Sequence, residues 1–189
     1  ASGIYLLNTD SNNISNNVIE GISTTELTAA IHLKGSDSNT ISGNTLTNNS
    51  ADGGIRLDYS SNYNAISDNI IINNNRAPDS SGVVYGMGIF LLRSSNNNTI
   101  SGNIVRDQNN AIRLSNSSDN LIKGNTLTGN YNGINFYVLS APSERNIVQY
   151  NEIYSNNKWT GEIGKGIWFQ GNAGEYSNGS NVIHNNKIY

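Results

Sequence analysis

The stretch Ser36–Asn49, SDSNTISGNTLTNN, is restated at Ser95–Asn110 as SNNNTISGNIVRDQNN. Both contain Asn-x-Ile-x-x-Asn-x-apolar. Aligning the chain on itself finds this pattern, with Ile or Val at the third place, seven times. Its first Asn falls at 12, 39, 64, 98, 120, 146 and 181, its second at 17, 44, 69, 103, 125, 151 and 186. All fourteen positions hold Asn, which an Asn content of 36 in 189 residues does not produce by chance. Repetition of this kind marks a solenoid, in which each unit buries its apolar face against its neighbours.

Each unit opens with a small residue, Ile, any residue, then an apolar one: GIYL at Gly3, AIHL at Ala30, GIRL at Gly54, GIFL at Gly88, AIRL at Ala111, GINF at Gly133 and GIWF at Gly166. Ile31 and Leu33 are two apart and so share one strand face. Ile41 and Leu46 supply two more inward positions, separated by the turn pair Gly43-Asn44. Helical spacing is absent, and β-branched residues dominate the repeated apolar positions. Three short strands per unit predict an all-β fold, a right-handed single-stranded parallel β-helix of about seven coils. At roughly 4.8 Å per coil the stack would be about 34 Å long. In the second turn of each coil, Asn is expected to tolerate the left-handed backbone and to donate its amide to adjacent coils, forming an Asn ladder. That assigns Asn44, Asn69, Asn103 and Asn125 to architecture.

Composition narrows the function. Only 13% of residues are charged and the net charge is -3, too small to argue for nucleic acid or an anionic membrane surface. No apolar run approaches the roughly 18 residues of a membrane span. Without cysteine there is no disulfide, thiolate chemistry or Cys-ligated metal site.

These repeats resemble the right-handed parallel β-helix proteins of the pectate-lyase-like superfamily. The NTISGN wording is similar to the NosD-type, CASH-domain repeats of carbohydrate-binding proteins and sugar hydrolases. Similar repeats occur in surface proteins of methane-producing archaea, including polysaccharide-degrading disaggregatases. The resemblance covers nearly the whole chain and implies the fold more sharply than the activity. It implies that substrate lies along the outer face of the first sheet, walled by loops. NosD-type proteins are associated with copper delivery, but the soft ligands here are His32, His184 and Met87, in distant units. No cofactor is expected; loop oxygens would suit only Ca2+, without diagnostic spacing.

The outward residues of the opening strands read Tyr5, His32, Arg56, Phe90, Arg113, Asn135 and Trp168, then Leu7, Lys34, Asp58, Leu92, Ser115, Tyr137 and Gln170. The second sheet's outward position is blander, beginning Ser15, Ser42, Ser67 and Ser101. The first ribbon thus concentrates charge and aromatic surface, a groove for an acidic polysaccharide: Arg offers a planar fork to carboxylates, and aromatic faces stack on sugars. β-Elimination of a uronate requires a neutralised carboxylate, a base for the adjacent proton and an acid for the leaving oxygen. Arg56 or Arg113 would neutralise, Lys34 or His32 would be the base, and Asp58 would orient either. Phe90, Asn135, Tyr137, Trp168 and Gln170 would bind substrate. The bland reading is a set of surface ion pairs, Lys34–Asp58 first among them. Inverting hydrolysis needs two opposed carboxyl groups about 6.5–9.5 Å apart, and the second would have to come from a loop at Asp52, Asp79 or Glu144.

Insertions enter or leave the first strand, and the second-to-third turn carries none. Loops carry function on such scaffolds, and Trp159, Trp168, Tyr137 and Tyr176 gather toward one end of the ribbon. Neither end of the chain reads as a solenoid cap. Residues 1–189 are therefore expected to be one domain, a fragment of a longer β-helix or a unit that meets others end to end. The expected function is a carbohydrate-active domain, extracellular or on the cell surface, that binds an acidic polysaccharide and cleaves it by β-elimination. The alternatives are a non-catalytic binding or structural repeat module and a β-helix glycoside hydrolase. The expected partner is a polysaccharide or oligosaccharide, with no nucleic acid and no membrane span.

Overall fold

Each repeat of the pattern lays down three short strands. The computed structural model describes residues 2–23, 28–75, 86–156, 164–171 and 178–189, and among these the strands form three seven-stranded sheets. The first sheet contains Ile4–Leu7, Ile31–Lys34, Gly53–Asp58, Met87–Leu92, Asn110–Ser115, Asn132–Tyr137 and Lys165–Gln170. The second runs from Asn13–Ser15 to Val182–His184, and the third from Val18–Glu20 to Lys187–Ile188. Every strand pairs in parallel with its equivalent one coil away. The fold is a right-handed parallel β-helix of seven coils.

The inward positions stack into columns. Ile31, Ile55, Ile89, Ile112 and Ile134 form one fully buried row, and Leu33, Leu57, Leu91, Leu114 and Phe136 a second. Ile41, Ile66, Ile100, Ile122 and Val148 line the second sheet, and Leu46, Ile71, Val105, Leu127 and Ile153 the third. The small residue that opens each unit has a packing cause. A Cβ on Gly54 would stand 2.6 Å from the Ile71 Cγ2, where the third sheet presses against the first.

Polar rows hold the corners. At the second turn the backbone N–H of Asn69 donates to the Asn103 Oδ1 (3.0 Å), and the Asn69 Nδ2 donates to the same oxygen (2.9 Å) and to the Ile41 carbonyl (3.0 Å). The motif repeats from Asn17 to Asn186. The structure extends the expected single ladder to three. A second row joins Asn12, Asn39, Asn64, Asn98, Asn120, Asn146 and Asn181 at the first corner. A third joins Asn49, Asn74, Gln108, Asn130 and Asn156. A primary amide carries two donor hydrogens and an acceptor oxygen on one short side chain, enough to link the coils on both sides. Asp would supply acceptors alone.

The left-handed backbone falls elsewhere than expected. It belongs to the residue before each ladder Asn: Asn16, Gly43, Asp68, Gly102, Gly124, Tyr150 and Asn185 at the second turn, with φ between 55° and 66°. The ladder Asn side chain points inward instead, where its hydrogen bonds offset the roughly 1–2 kcal/mol that a non-glycine residue loses in that conformation.

Asn103→Ala would leave the Asn69 N–H buried and unpaired and would remove the 3.0 Å bond from Nδ2 to the Ile66 carbonyl. We expect a loss of about 2–4 kcal/mol by chemical denaturation. Ser101→Ala, on the outer face two residues away, should change stability by less than about 0.5 kcal/mol.

Candidate functional site

Register turns the outward residues of the first sheet into a ribbon. Tyr5, His32, Arg56, Phe90, Arg113, Asn135 and Trp168 are successive strand partners, one per coil. Beside them run Leu7, Lys34 and Asp58, then Leu92, Ser115, Tyr137 and Gln170. Coil spacing separates His32 from Arg56 by roughly 5 Å along the axis, and His32 from Arg113 by roughly 14 Å. The sequence-predicted residues thus share one face but form two clusters.

In the first cluster the cations are already engaged. Arg56, buried, sets its Nη2 2.8 Å from Asp58 Oδ2 and its Nη1 3.8 Å from Asp52 Oδ2. Asp58 also takes Arg93 at 3.2 Å and accepts the Tyr59 N–H at 3.0 Å. Lys34 does not pair with Asp58, the partner expected of it: its Nζ lies 4.6 Å from the centre of the Tyr59 ring, and the Arg93 guanidinium lies 4.5 Å from the same ring. Leu57 separates Arg56 from Asp58, so both point outward and meet each other; Arg93 then fills the space Lys34 would have used. Of the acids considered for hydrolysis, Asp52 faces the Arg56 guanidinium and Glu144 lies 3.4 Å from Arg145. Asp79, Trp159 and Tyr176 fall outside the described residues.

His32 is buried, with its ring 5.2 Å from Tyr5 and no partner on Nε2. Burial, then the charges of Arg56 and Lys34, lower its pKa from 6.5 to about 4 against the opposing pull of Asp58. It is a neutral imidazole at neutral pH.

The second cluster is a pocket of about 230 Å³ lined by Met87, Arg113, Asn135, Tyr137, Trp168 and Gln170, with Asn109, Asn110, Tyr131 and Asn132 at its floor and rim. The Arg113 guanidinium lies 4.2 Å from the Tyr137 ring centre and 5.6 Å from that of Phe90. Among the described residues no carboxylate pairs with it, and its Nε is buried without a partner. Burial lowers its pKa from the ordinary arginine value, and Tyr137 opposes that shift. The Asn135 Oδ1 is likewise buried and unmet.

Sequence reasoning missed Arg93 and Tyr59, which leave the first sheet at the corner, and the paired amides Asn110 and Asn132. The latter carried a signal: Asn stands directly before the small residue in both Asn110-Ala111 and Asn132-Gly133.

Fold and ribbon define a parallel β-helix whose outer first sheet concentrates charged, aromatic and amide side chains on one face. A family model described as periplasmic copper-binding protein (NosD) matches residues 1–158 and again 80–189; the chain belongs to the NosD family. Among solved structures it is similar to a double mutant of the periplasmic alginate epimerase AlgG, with TM-score 0.70 and 19% identity over all of this chain and 48% of that one. Unmutated AlgG gives TM-score 0.60 and 17% identity, over 100% and 47%. The chain thus spans about half the length of the structures it matches. No curated protein matches it.

Copper does not fit the described residues. Soft donors would have to converge, but His32, Met87 and His184 stand in the second, fourth and seventh coils, the last on a different sheet. His32 is flanked by the charges of Arg56 and Lys34, which disfavour a cation. Among the described residues no three His, Cys, Asp or Glu side chains form a group that would hold a metal.

The His32 shift has a consequence for acid stability. The unfolded chain binds a proton near pH 6.5 and the folded one only near pH 4, so stability is whole above 6.5 and lost as pH falls toward 4. His32→Asn should make the fall in thermal midpoint across that window shallower, as read by circular dichroism.

Proposed function

We propose that the chain is a carbohydrate-binding β-helix module that holds an acidic polysaccharide along the first-sheet ribbon, on the outer side of a membrane. One observation carries this reading: Arg113, a mostly buried guanidinium with no carboxylate partner among the described residues, stands between two aromatic rings in an amide-lined pocket. A buried charge without a counterion is costly, and a ligand carboxylate would relieve that cost. The ring and amide lining suits sugar faces and hydroxyls. The family's description as periplasmic and the likeness to periplasmic alginate epimerases support both the location and the polymer class.

A second reading, elimination, has its own observation. His32 is neutral, unpartnered on Nε2 and one coil from Arg56. There the imidazole would take the proton next to the carboxylate, the electrons would move to the adjacent carbon, and the glycosidic oxygen would leave with a proton from solvent. This asks Arg56 to neutralise a carboxylate while it already faces Asp58 and Asp52. Binding at Arg113 makes no such demand. Hydrolysis is weaker still, because Asp52 and Asp58 both face the same guanidinium.

Titration with polyuronates, by calorimetry, tests the proposal. Arg113→Gln should lower affinity about tenfold or more, since a charge-assisted bond is lost. Arg145→Gln, whose exposed pair with Asp119 lies off the ribbon, should leave it unchanged. Equal effects from both variants would remove the ribbon as the site. Appearance of an unsaturated product, abolished in His32→Asn, would favour elimination instead.

A further inference from the structure

Two polar atoms in the Arg113 pocket lack partners, and they want opposite things. The Arg113 Nε is a donor and the Asn135 Oδ1 an acceptor, each buried with nothing bonded to it. The two residues are register partners on adjacent strands and line the same pocket. The Asn135 amide is oriented by its other end, since Nδ2 donates to the Gln170 Oε1 at 3.4 Å. The neighbouring amides are already engaged. Asn132 donates to the Asn110 Oδ1 at 3.1 Å and accepts the Lys165 N–H at 3.2 Å, and Asn110 donates to the Asn109 Oδ1 at 2.7 Å. The unmet demand is therefore one anion and one hydroxyl donor, side by side.

Few ligand classes supply that pair. An inorganic sulfate brings acceptors only and leaves the Asn135 oxygen dry. A neutral sugar brings hydroxyls and leaves the guanidinium uncompensated. A uronate unit carries a carboxylate and free hydroxyls on one ring. The volume of about 230 Å³ lies below the roughly 300 Å³ at which drug-sized sites begin, room for about one sugar unit of a longer polymer.

We infer that the Arg113 pocket reads one uronate unit of the polymer, Arg113 taking its carboxylate and Asn135 accepting from a free hydroxyl of the same ring, so that Asn135 selects against acylation of that hydroxyl. This rests on the ribbon as an acidic-polysaccharide surface and adds to it the unit recognised and the substituent refused. An ester at that hydroxyl removes the only donor and forces an acceptor against an acceptor. Sites built to hydrogen-bond a hydroxyl reject analogues lacking it far more strongly than apolar pockets reject a methyl group.

The test is calorimetric binding of the chain to an oligouronate, to its O-acetylated form and to a neutral oligosaccharide of equal length. The free oligouronate should bind, O-acetylation should weaken it about tenfold or more, and the neutral sugar should be weaker still. Asn135→Ala should erase the difference between the free and acetylated ligands, with the fold checked by circular dichroism. Equal binding of the two by the unaltered protein, or a difference that survives in Asn135→Ala, overturns the inference while leaving the ribbon proposal standing. If the unaltered protein binds no oligouronate, both fall. Should Asn135→Ala not fold, the comparison of the two ligands on the unaltered protein decides alone.

Discussion

Everything in this molecule depends on buried amides that bond to one another down the stack. A solenoid corner is an awkward place for a backbone: the chain reverses direction, sheet bonding is interrupted, and polar groups are withdrawn from water. Each Asn in the rows at 12 to 181 and 17 to 186 answers this by accepting from the coil before it with Oδ1 and donating with Nδ2. Its backbone N–H is met by the next coil's amide oxygen. The apolar columns alone would bury area without specifying register, because Ile over Ile fits several offsets. The amides admit one.

That fixed register is what gives the ribbon chemical meaning. Residues 22 or more positions apart in the chain stand side by side, so a change on one coil is felt by the next. Asp58 shows the effect: three cationic or N–H groups, from Arg56, Arg93 and Tyr59, converge on it, so its carboxylate is met within the ribbon. Three coils on from His32 the balance differs, with Arg113 among rings and amides and no acid among the described residues. The same sheet therefore presents an ion-paired cluster at one end and, further along, an arginine with no carboxylate partner among the described residues.

The fold was readable because its determinants are periodic. Fourteen repeated Asn positions and seven opening tetrapeptides report the number of coils, the strand faces and the outward residues without any long-range guess. The first and third amide rows were less visible. One belongs to the repeated pattern without being marked there as a ladder, and the other, five residues after each second-row Asn, is interrupted by Ile22 and Gln108. The backbone conformation at the corners was assigned one residue late, since Asn favours the left-handed region in general while here Tyr150 or Asp68 occupies it. At the candidate site, the outward column could be read residue by residue, but pairing could not. Whether Asp58 meets Lys34 or Arg56 depends on side-chain reach and on Arg93 at the corner, and no spacing rule encodes either.

The inner rows of amides also share a direction. From Asn12 to Asn181 and from Asn17 to Asn186 every link donates from the earlier coil to the oxygen of the later one. In these side-chain links the two faces of any coil are consequently unlike, the later-facing one offering Nδ2 donors and the earlier-facing one Oδ1 acceptors, while Nδ2 also reaches back to a backbone carbonyl of the earlier coil. A coil inserted by duplication, or lent by a neighbouring molecule, seats in a single sense. Flipped end for end, it would set like against like at every corner. Such a scaffold lengthens readily and inverts not at all, and this one-way grammar confines evolutionary change to copy number and to the loops.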